Sequence, residues 1–575
     1  MIKILSCAIL SLSFSLSYGQ NYKALVGATL INSNGDKTVA EAVVLIKDNK
    51  IEKTGRQGKM KIPANAEIID VKGKYIIPGL IDSHVHFFQS GGLYTRPDAI
   101  DLRAVVPYEE ELSNIKKRLS RTFASYLRAG VTSVADVGGP MLNFDIRAEA
   151  AATALAPRVI VAGPLISTVA NPKLDAGDPP IVKVATTEEV DQLVQKLADQ
   201  KADLIKIWFI VSPQLNFADN LKLIQHTINQ SHAKGIRVAV HATQLATAKE
   251  SVKAGADILV HSVDDKEVDD EFIQLLKQHG TIYTSSISVL DGYVRTFTQQ
   301  FDFIPVDFAI ADPLFMGSLF DLKQIPAEQL PANTKTMMAN PEQPLTNALQ
   351  RVEIAMKNLK KLQDAGVIIA TGTDAGNIGT LHASSMHQEL AIMQKAGLSP
   401  NQILINSTLN GAKLMGKEKE LGSVTSGKLA DLVILNANPL EDIKNYSAID
   451  AVMKDGKIFQ VINILTPTPE EIVQRQLVAY NAHDLESFLS VYSPDIKLYN
   501  FPQELILEGM DPMRDRYSTR FESKNLHAEV LSRSVMGDYV IDHERVTGMR
   551  AEKVEATIIY HVSEGLIDKV WFIIR

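Results

Sequence analysis

Two histidines separated by one residue close the run Ile76–His86 (IIPGLIDSHVH), and they are the first residues along this chain with a distinct chemistry. Side chains two apart on a strand share a face, so His84 and His86 point the same way. Neutral imidazoles are good ligands for zinc and similar divalent metals. One His-x-His pair is weak evidence, but the pattern recurs. RVAVHA stops at His241, ILVHSV at His261 and VIIATGTDAG at Asp374, each where an apolar run ends. Histidines merely satisfied by solvent would scatter over helices and loops, as His226, His232 and His279 do. Five candidate ligands at the ends of four strands point to metal binding.

Lys206, inside DLIKIWF, is a sixth candidate. Burying an ammonium in so apolar a strand is costly unless it is paired or loses its charge. A desolvated lysine gives up its proton more readily, and the free amine can take up carbon dioxide. The resulting carbamate is a carboxylate-like anion able to bridge two metals. The alternative is a lysine paired with an acidic residue or reaching the rim. Cysteine does not compete for the metal: Cys7 is the only one, and it lies in a leader expected to be removed.

These residues need a scaffold that gathers strand ends. Between residues 77 and 424 the runs LIDSHVH, VTSVADV, RVIVAG, LIKIWF, RVAVHA, ILVHSV, TIYTSSI and VIIATGTD alternate with amphipathic stretches such as EELSNIKKRLSRTFASYLRAG. That is the grammar of an α/β (β/α)8 TIM barrel, whose sites lie at the C-terminal ends of its strands. Residues 288 to 350, carrying Pro305, Pro313, Pro326, Pro331, Pro341 and Pro344, exceed a normal connection and predict a partly helical insertion over one mouth. Short alternating runs in 20–76 and 425–462 predict one small β-sandwich built from both flanks. After TPTPEE, residues 468–575 predict a separate α+β unit: a helix over EEIVQRQLVAYNAHDLESFLSVY, then long alternating strands.

The N-terminus reads as a signal peptide over residues 1–19. Lys3 precedes an uncharged stretch from Ile4 to Leu16, and Ser17-Tyr18-Gly19 suits cleavage near Gly19/Gln20, which implies export to the periplasm or the extracellular space. No later segment reaches the roughly 18 uncharged apolar residues of a membrane span. The net charge of −8 and the absence of a Lys/Arg run argue against a nucleic-acid partner.

The stretches PGLIDSHVH, AGVTSVADVGG, LIKIWF, VAVHA, ILVHS, TGTDAG and GSVTSGKLADLVILNANPLEDI keep a family's motifs in order. Through them the chain resembles the amidohydrolase superfamily, in its imidazolonepropionase/prolidase-like branch, over about residues 22 to 460. The resemblance implies that His84, His86 and Asp374 bind one divalent metal, His241 and His261 a second, and carbamylated Lys206 bridges them. Zinc is the expected metal, although manganese, cobalt and iron suit the same ligands. A water activated between two cations is a nucleophile near neutral pH, and Asp374 is the catalytic residue that takes its proton and passes it to the leaving amine. His382 and His387, just beyond Asp374, are candidate substrate contacts, with solvated helix-face histidines as the alternative.

The last 108 residues resemble the nuclear-transport-factor-2-like cone of the SnoaL and ketosteroid-isomerase type, through QLVAYNAHDLESFLSVYSPDIKLY, VIDHERVTG and GLIDKVWFI. Such cones hold a hydrophobic ligand or dimerise, so a homo-oligomer through barrel or cone stays open. Asp542, His543 and Glu544 are adjacent on a strand and cannot all face one pocket. The function expected is an exported metal-dependent hydrolase cleaving an amide C–N bond of a small molecule, of dipeptide or N-acyl amino acid type. A mononuclear cyclic-amide hydrolase or deaminase, a lactone or ester hydrolase, and a non-enzymatic ligand carrier using the cone are the alternatives.

Overall fold

The computed structural model describes residues 21–35, 37–211, 216–549 and 552–574; the expected signal peptide lies outside the described residues. All eight apolar runs are strands: β1 (Leu80–Val85), β2 (Val131–Asp136), β3 (Arg158–Val161), β4 (Leu204–Trp208), β5 (Arg237–His241), β6 (Ile258–Val260), β7 (Ile282–Thr284) and β8 (Ile369–Ala370). Every sequential pair within β1–β3 and within β4–β8 is parallel. Buried on both faces, such strands read as unbroken apolar runs.

They do not form one continuous ladder. β1–β3 are a three-stranded sheet, and β4–β8 belong to a seven-stranded one extended by two short strands, Leu165–Ser167 and Ile181–Lys183. Backbone hydrogen bonds join the two sheets. Ser83 N donates to Thr371 O (2.9 Å), Asp374 N to His84 O (2.7 Å) and His86 N to Ala375 O (2.8 Å), while Asp203 N donates to Val161 O (2.9 Å) beside β4. The ladder lapses at β8 because only two residues there are extended, and the chain turns at Asp374, whose φ is 62°.

The covering helices follow their sequence signals. Thr186 and Glu189 form a capping box before Thr187–Asp199, which buries Val190, Leu193, Val194 and Leu197 at helical spacing. Tyr108–Arg128 carries Glu109, Glu110 and Glu111 in its first turn and Arg128 in its last, matching its dipole.

Strands from both flanks build one hydrogen-bonded eight-stranded sheet where a small β-sandwich was expected. Leu432–Leu435 pairs with Tyr75–Pro78, which pairs with Tyr22–Leu30. The long Tyr22–Leu30 strand also pairs with Glu67–Asp70 through its first half, and Gly27 (φ 96°) lies where the partner changes. The 288–350 insertion is mostly helical, beginning with Ser288–Thr298 and running into Glu342–Asp364. Its Phe308, Met316, Leu319, Phe320 and Leu322 pack in the same core as Leu477, Val478 and Tyr480 of the C-terminal unit. Arg118 and Arg121 both pair with Glu471 at this junction.

In that unit the long helix expected after TPTPEE is interrupted. Pro469–Ala482 ends at His483 in a left-handed conformation (φ 57°), and Asp484 caps a new short helix, Leu485–Leu489. Six strands follow as a sheet with two long hairpins, His527–Met536 with Tyr539–Thr547 and Val554–Ser563 with Leu566–Ile574. Alternation buries Asp542 and Glu544 and leaves His543 on the other face. Arg533 binds Asp542 twice (2.7 and 2.6 Å), whereas among the described residues Glu544 receives only the Tyr560 hydroxyl, at 3.0 Å.

Burial first, and the Asp542 charge second, push Glu544 up to about 8. The folded state therefore holds a proton that the unfolded chain releases near pH 4.5, so this group's contribution to stability falls as pH rises from about 4.5 to 8. Glu544→Gln is expected to remove that fall, on the order of a few kcal/mol by pH 8. Urea unfolding of both proteins at pH 5 and pH 8 checks it; parallel losses in the two would contradict it.

Candidate metal centre

β1 delivers His84 and, one step past its end, His86 to the mouth, while the turn after β8 folds Asp374 back onto them. His84 Nε2 lies 3.3 Å from His86 Nε2, and Asp374 Oδ1 lies 3.1 Å from the first and 3.0 Å from the second. The three ligand atoms fall within 4.8 Å of one another, and all three residues are buried. His86 Nδ1 sits 2.6 Å from the Gly138 carbonyl oxygen and so donates to it, leaving the Nε2 lone pair free. Asp374 Oδ1 accepts no hydrogen bond from the described residues. Lone pairs from two imidazoles and a carboxylate repel each other at this range unless a cation lies among them. The donor set thus fits a divalent metal.

The other three candidates border this cluster. His241 ends β5 and His261 follows β6, with ring centroids 4.5 Å apart, and His261 lies 4.7 Å from the His84 ring. His261 Nδ1 is 3.6 Å from Asp374 Oδ2. Lys206, in the middle of β4, is 1% exposed and makes no hydrogen bond or ion pair with the described residues. Burial pushes its ammonium down to about 7, opposed by the Asp374 charge. Burial, then the Lys206 charge, also brings His241 down to about 3 and His84 well below its usual range, so both are neutral imidazoles at pH 7.

Backbone strain concentrates here. Asp374 (φ 62°), His261 (φ 76°) and Ser286 (φ 43°), whose hydroxyl is 3.2 Å from His84 Nδ1, all adopt left-handed conformations costing roughly 1–3 kcal/mol each. Buried carboxylates hold them. Asp82 accepts from His84 N, Thr373 N and the Thr373 hydroxyl, tying β1 to the Asp374 turn. Asp136 accepts from Phe87 N, Gly138 N and Asn143, fixing the carbonyl that orients His86. Glu389 accepts from Ile287 N and Ser288 N, beside Ser286. Burial raises Asp82 to about 7 and Asp136 to about 6. None of the three was singled out from sequence, although Asp82 in LIDSHVH and Asp136 in VTSVADV carry the same signal as Lys206: a charge inside an apolar strand.

His382 and His387 are placed elsewhere. Both His382 nitrogens are engaged, Nδ1 with the Tyr126 hydroxyl and Nε2 with Gln89 O (each 2.8 Å), and the ring stacks on Phe87. His387 Nε2 meets Ala129 O at 3.1 Å. Neither is among the residues lining the pocket, where a substrate contact was expected, and neither is solvated: His387 lies on the buried side of helix Ser384–Lys395, and His382, just before that helix, is buried against Phe87 and Tyr126. The pocket over the candidate ligands, about 270 Å³, is lined instead by the apolar Phe88, Leu165, Leu174, Ile181 and Trp208 and by the polar Arg96, Tyr293 and Asn377.

Comparison with known proteins places this geometry in context. A family model described as the amidohydrolase family matches residues 75–459, and one described as a SnoaL-like domain matches 473–570. Ochratoxinase from Aspergillus niger is 24% identical over 423 residues, spanning 67% of this chain and 75% of its own. Imidazolonepropionase from Shouchella clausii is 36% identical over 106 residues, 18% of this chain and 23% of its own. Among solved structures, a Xaa-Pro dipeptidase with bound methionine superposes with a TM-score of 0.59 at 23% identity, covering 76% of this chain and 100% of that one; the likeness is one of fold.

Proposed function

Since the chain belongs to the amidohydrolase family, whose members are hydrolases acting on carbon–nitrogen bonds, we propose that it is an exported two-metal amidohydrolase cleaving an amide in a small substrate of dipeptide or N-acyl amino acid type. The convergence of His84 Nε2, His86 Nε2 and the unpartnered Asp374 Oδ1 beside buried Lys206 carries this reading. His84, His86 and Asp374 would hold one ion, His241 and His261 the other. Zinc is our choice for both. Bound there, divalent ions supply Lewis acidity that lowers the pKa of water and polarises a substrate carbonyl.

The chain's own residues do the rest. Lys206 Nζ, as the free amine, would add carbon dioxide and release one proton, and the resulting carbamate would supply an anionic ligand to the centre. Asp374 takes the proton of the attacking water on Oδ2, the oxygen turned away from His84 and His86, and returns it to the departing amine nitrogen. His86, held by Gly138, keeps one tautomer throughout. The apolar wall of Phe88, Leu165, Leu174, Ile181 and Trp208 excludes bulk water around the scissile bond.

The wider organisation proposed is a leader over 1–19, a small β domain from 20–76 and 425–462, a barrel from 77–424 closed along β8–β1, and the SnoaL-like unit from 468. Resemblance to dipeptidase and ochratoxinase folds, with strand-end ligands, supports the closed barrel. A mononuclear reading is favoured by one observation: only His84, His86 and Asp374 form a tight ligand group among the described residues. Loading the purified chain with zinc, manganese, cobalt or iron and screening dipeptides, N-acyl amino acids, cyclic amides and lactones tests the proposal. Turnover of open-chain amides is expected; turnover of lactones alone, or of cyclic amides alone, would contradict it.

A further inference from the structure

Four arginines crowd the junction between the barrel and the C-terminal unit. Arg118, Arg121 and Arg128 stand at i, i+3 and i+10 on helix Tyr108–Arg128, a spacing that puts them on one face. Arg475 comes from helix Pro469–Ala482, one turn after Glu471. Two acids meet this cluster, and both are committed elsewhere in it. Glu471 Oε1 accepts from Arg118 Nη2 (2.5 Å), and its Oε2 accepts from Arg121 Nη2 and from Thr468 N (3.1 Å). Asp312 Oδ2 accepts from Arg118 Nε, and its Oδ1 from Leu314 N at 3.0 Å. Arg128 and Arg475 are left over. Neither makes a hydrogen bond or ion pair with the described residues, and Arg128 Nη1 and Arg475 Nε are buried donors without a partner. Both side chains are otherwise half-buried, so the pair is open to solvent over part of its surface. Burial first, and the Arg128 charge second, push Arg475 down to about 10, which leaves it a cation at pH 7.

We propose that Arg128 and Arg475 form a binding site for a doubly charged tetrahedral oxyanion, of the sulfate or hydrogen phosphate type, held between the barrel helix and the first helix of the C-terminal unit. Charge balance selects the dianion: four guanidiniums meet two carboxylates here, an excess of two positive charges. A buried guanidinium donor without a partner carries the full penalty of its desolvation, and two neighbouring cations add their repulsion. One dianion removes both costs, because its oxygens can accept from two planar forks at once. A single carboxylate would cancel only half of the excess. Glu471 and Asp312 cannot do so, since the oxygens of both are already engaged. The anion would brace helix Tyr108–Arg128, which leads into β2, against helix Pro469–Ala482. None of these residues lines the pocket over the candidate metal ligands, and the inference stands independently of the hydrolase chemistry.

The test is calorimetric titration of the full-length, metal-loaded protein with sodium sulfate and with phenyl phosphate, at an ionic strength held constant with sodium chloride, repeated on Arg128→Gln, Arg475→Gln and Arg475→Lys. One sulfate per chain is expected to bind the unaltered protein with a dissociation constant below about 1 mM. Each glutamine variant should weaken it at least about tenfold, and Arg475→Lys should recover part of the loss by restoring charge without the fork. Thermal unfolding gives a second readout. In chloride alone, Arg475→Gln should unfold no lower than the unaltered protein, because it removes an unpaired charge, and exchanging chloride for sulfate should raise the midpoint of the unaltered protein only. A lower midpoint for Arg475→Gln in chloride would mean that Arg475 already has a partner within the chain, and overturns the proposal. Phenyl phosphate displacing sulfate supports the site as one for the phosphoryl group of a larger molecule, and its failure to do so supports a site for the free ion. No saturable binding of either anion to the unaltered protein overturns the proposal whether or not the variants fold. Binding unmoved by both glutamine substitutions also overturns it, because the anion would then be held by the metals.

Discussion

Asp374→Asn is expected to lower kcat by roughly 10⁴-fold while leaving a folded protein. The asparagine keeps the shape of a side chain that touches His84 and His86 within about 3 Å, so the Asp374 N to His84 O hydrogen bond and the Asp82–Thr373 brace persist. Two things are lost. The neutral amide is a poor ligand beside two imidazoles, and it cannot carry the proton from the attacking water to the leaving amine. Steady-state kinetics on whichever amide the screen identifies, together with thermal unfolding, checks the prediction. A variant with kcat within tenfold of the unaltered protein would remove Asp374 from the mechanism.

Lys206→Ala is the second large effect, expected at roughly 100-fold or more in kcat/KM. Lys206 makes no hydrogen bond or ion pair with the described residues, and the Asp374 charge only partly opposes the effect of its burial. Its burial, at 1% exposure, favours the uncharged amine, which is the form that reacts with carbon dioxide. Activity regained after metal stripping should therefore depend on added bicarbonate in the unaltered protein and be indifferent to it in Lys206→Ala. Bicarbonate independence in both would return Lys206 to the role of a buried amine lining the pocket.

The eight strands could be read from sequence because burial on both faces writes an uninterrupted apolar run, and the His84, His86 and Asp374 group could be read because each stands at or near the end of such a run. The strands Leu165–Ser167 and Ile181–Lys183 were too short to leave a period. Position just beyond the Asp374 turn misled at His382 and His387. A histidine shortly after a strand end was taken to face substrate or solvent, whereas Tyr126, Phe87 and Ala129 meet it from elements more than 250 residues away in sequence. The same distance hid the hydrogen bond between Arg96 and Asn377 in the pocket lining, since the two are 281 residues apart. His483 broke the expected C-terminal helix by adopting a left-handed conformation, with Asp484 capping the next helix.

Metal content measures the central claim most directly. The chain, stripped and reconstituted with zinc in the presence of bicarbonate, should hold two ions by elemental analysis, with no more than one in Lys206→Ala and none in the His84→Ala, His86→Ala, His241→Ala combination. One ion per chain, unchanged by bicarbonate and by Lys206→Ala, would contradict the two-metal account, and no bound ion at all would contradict the metal centre itself.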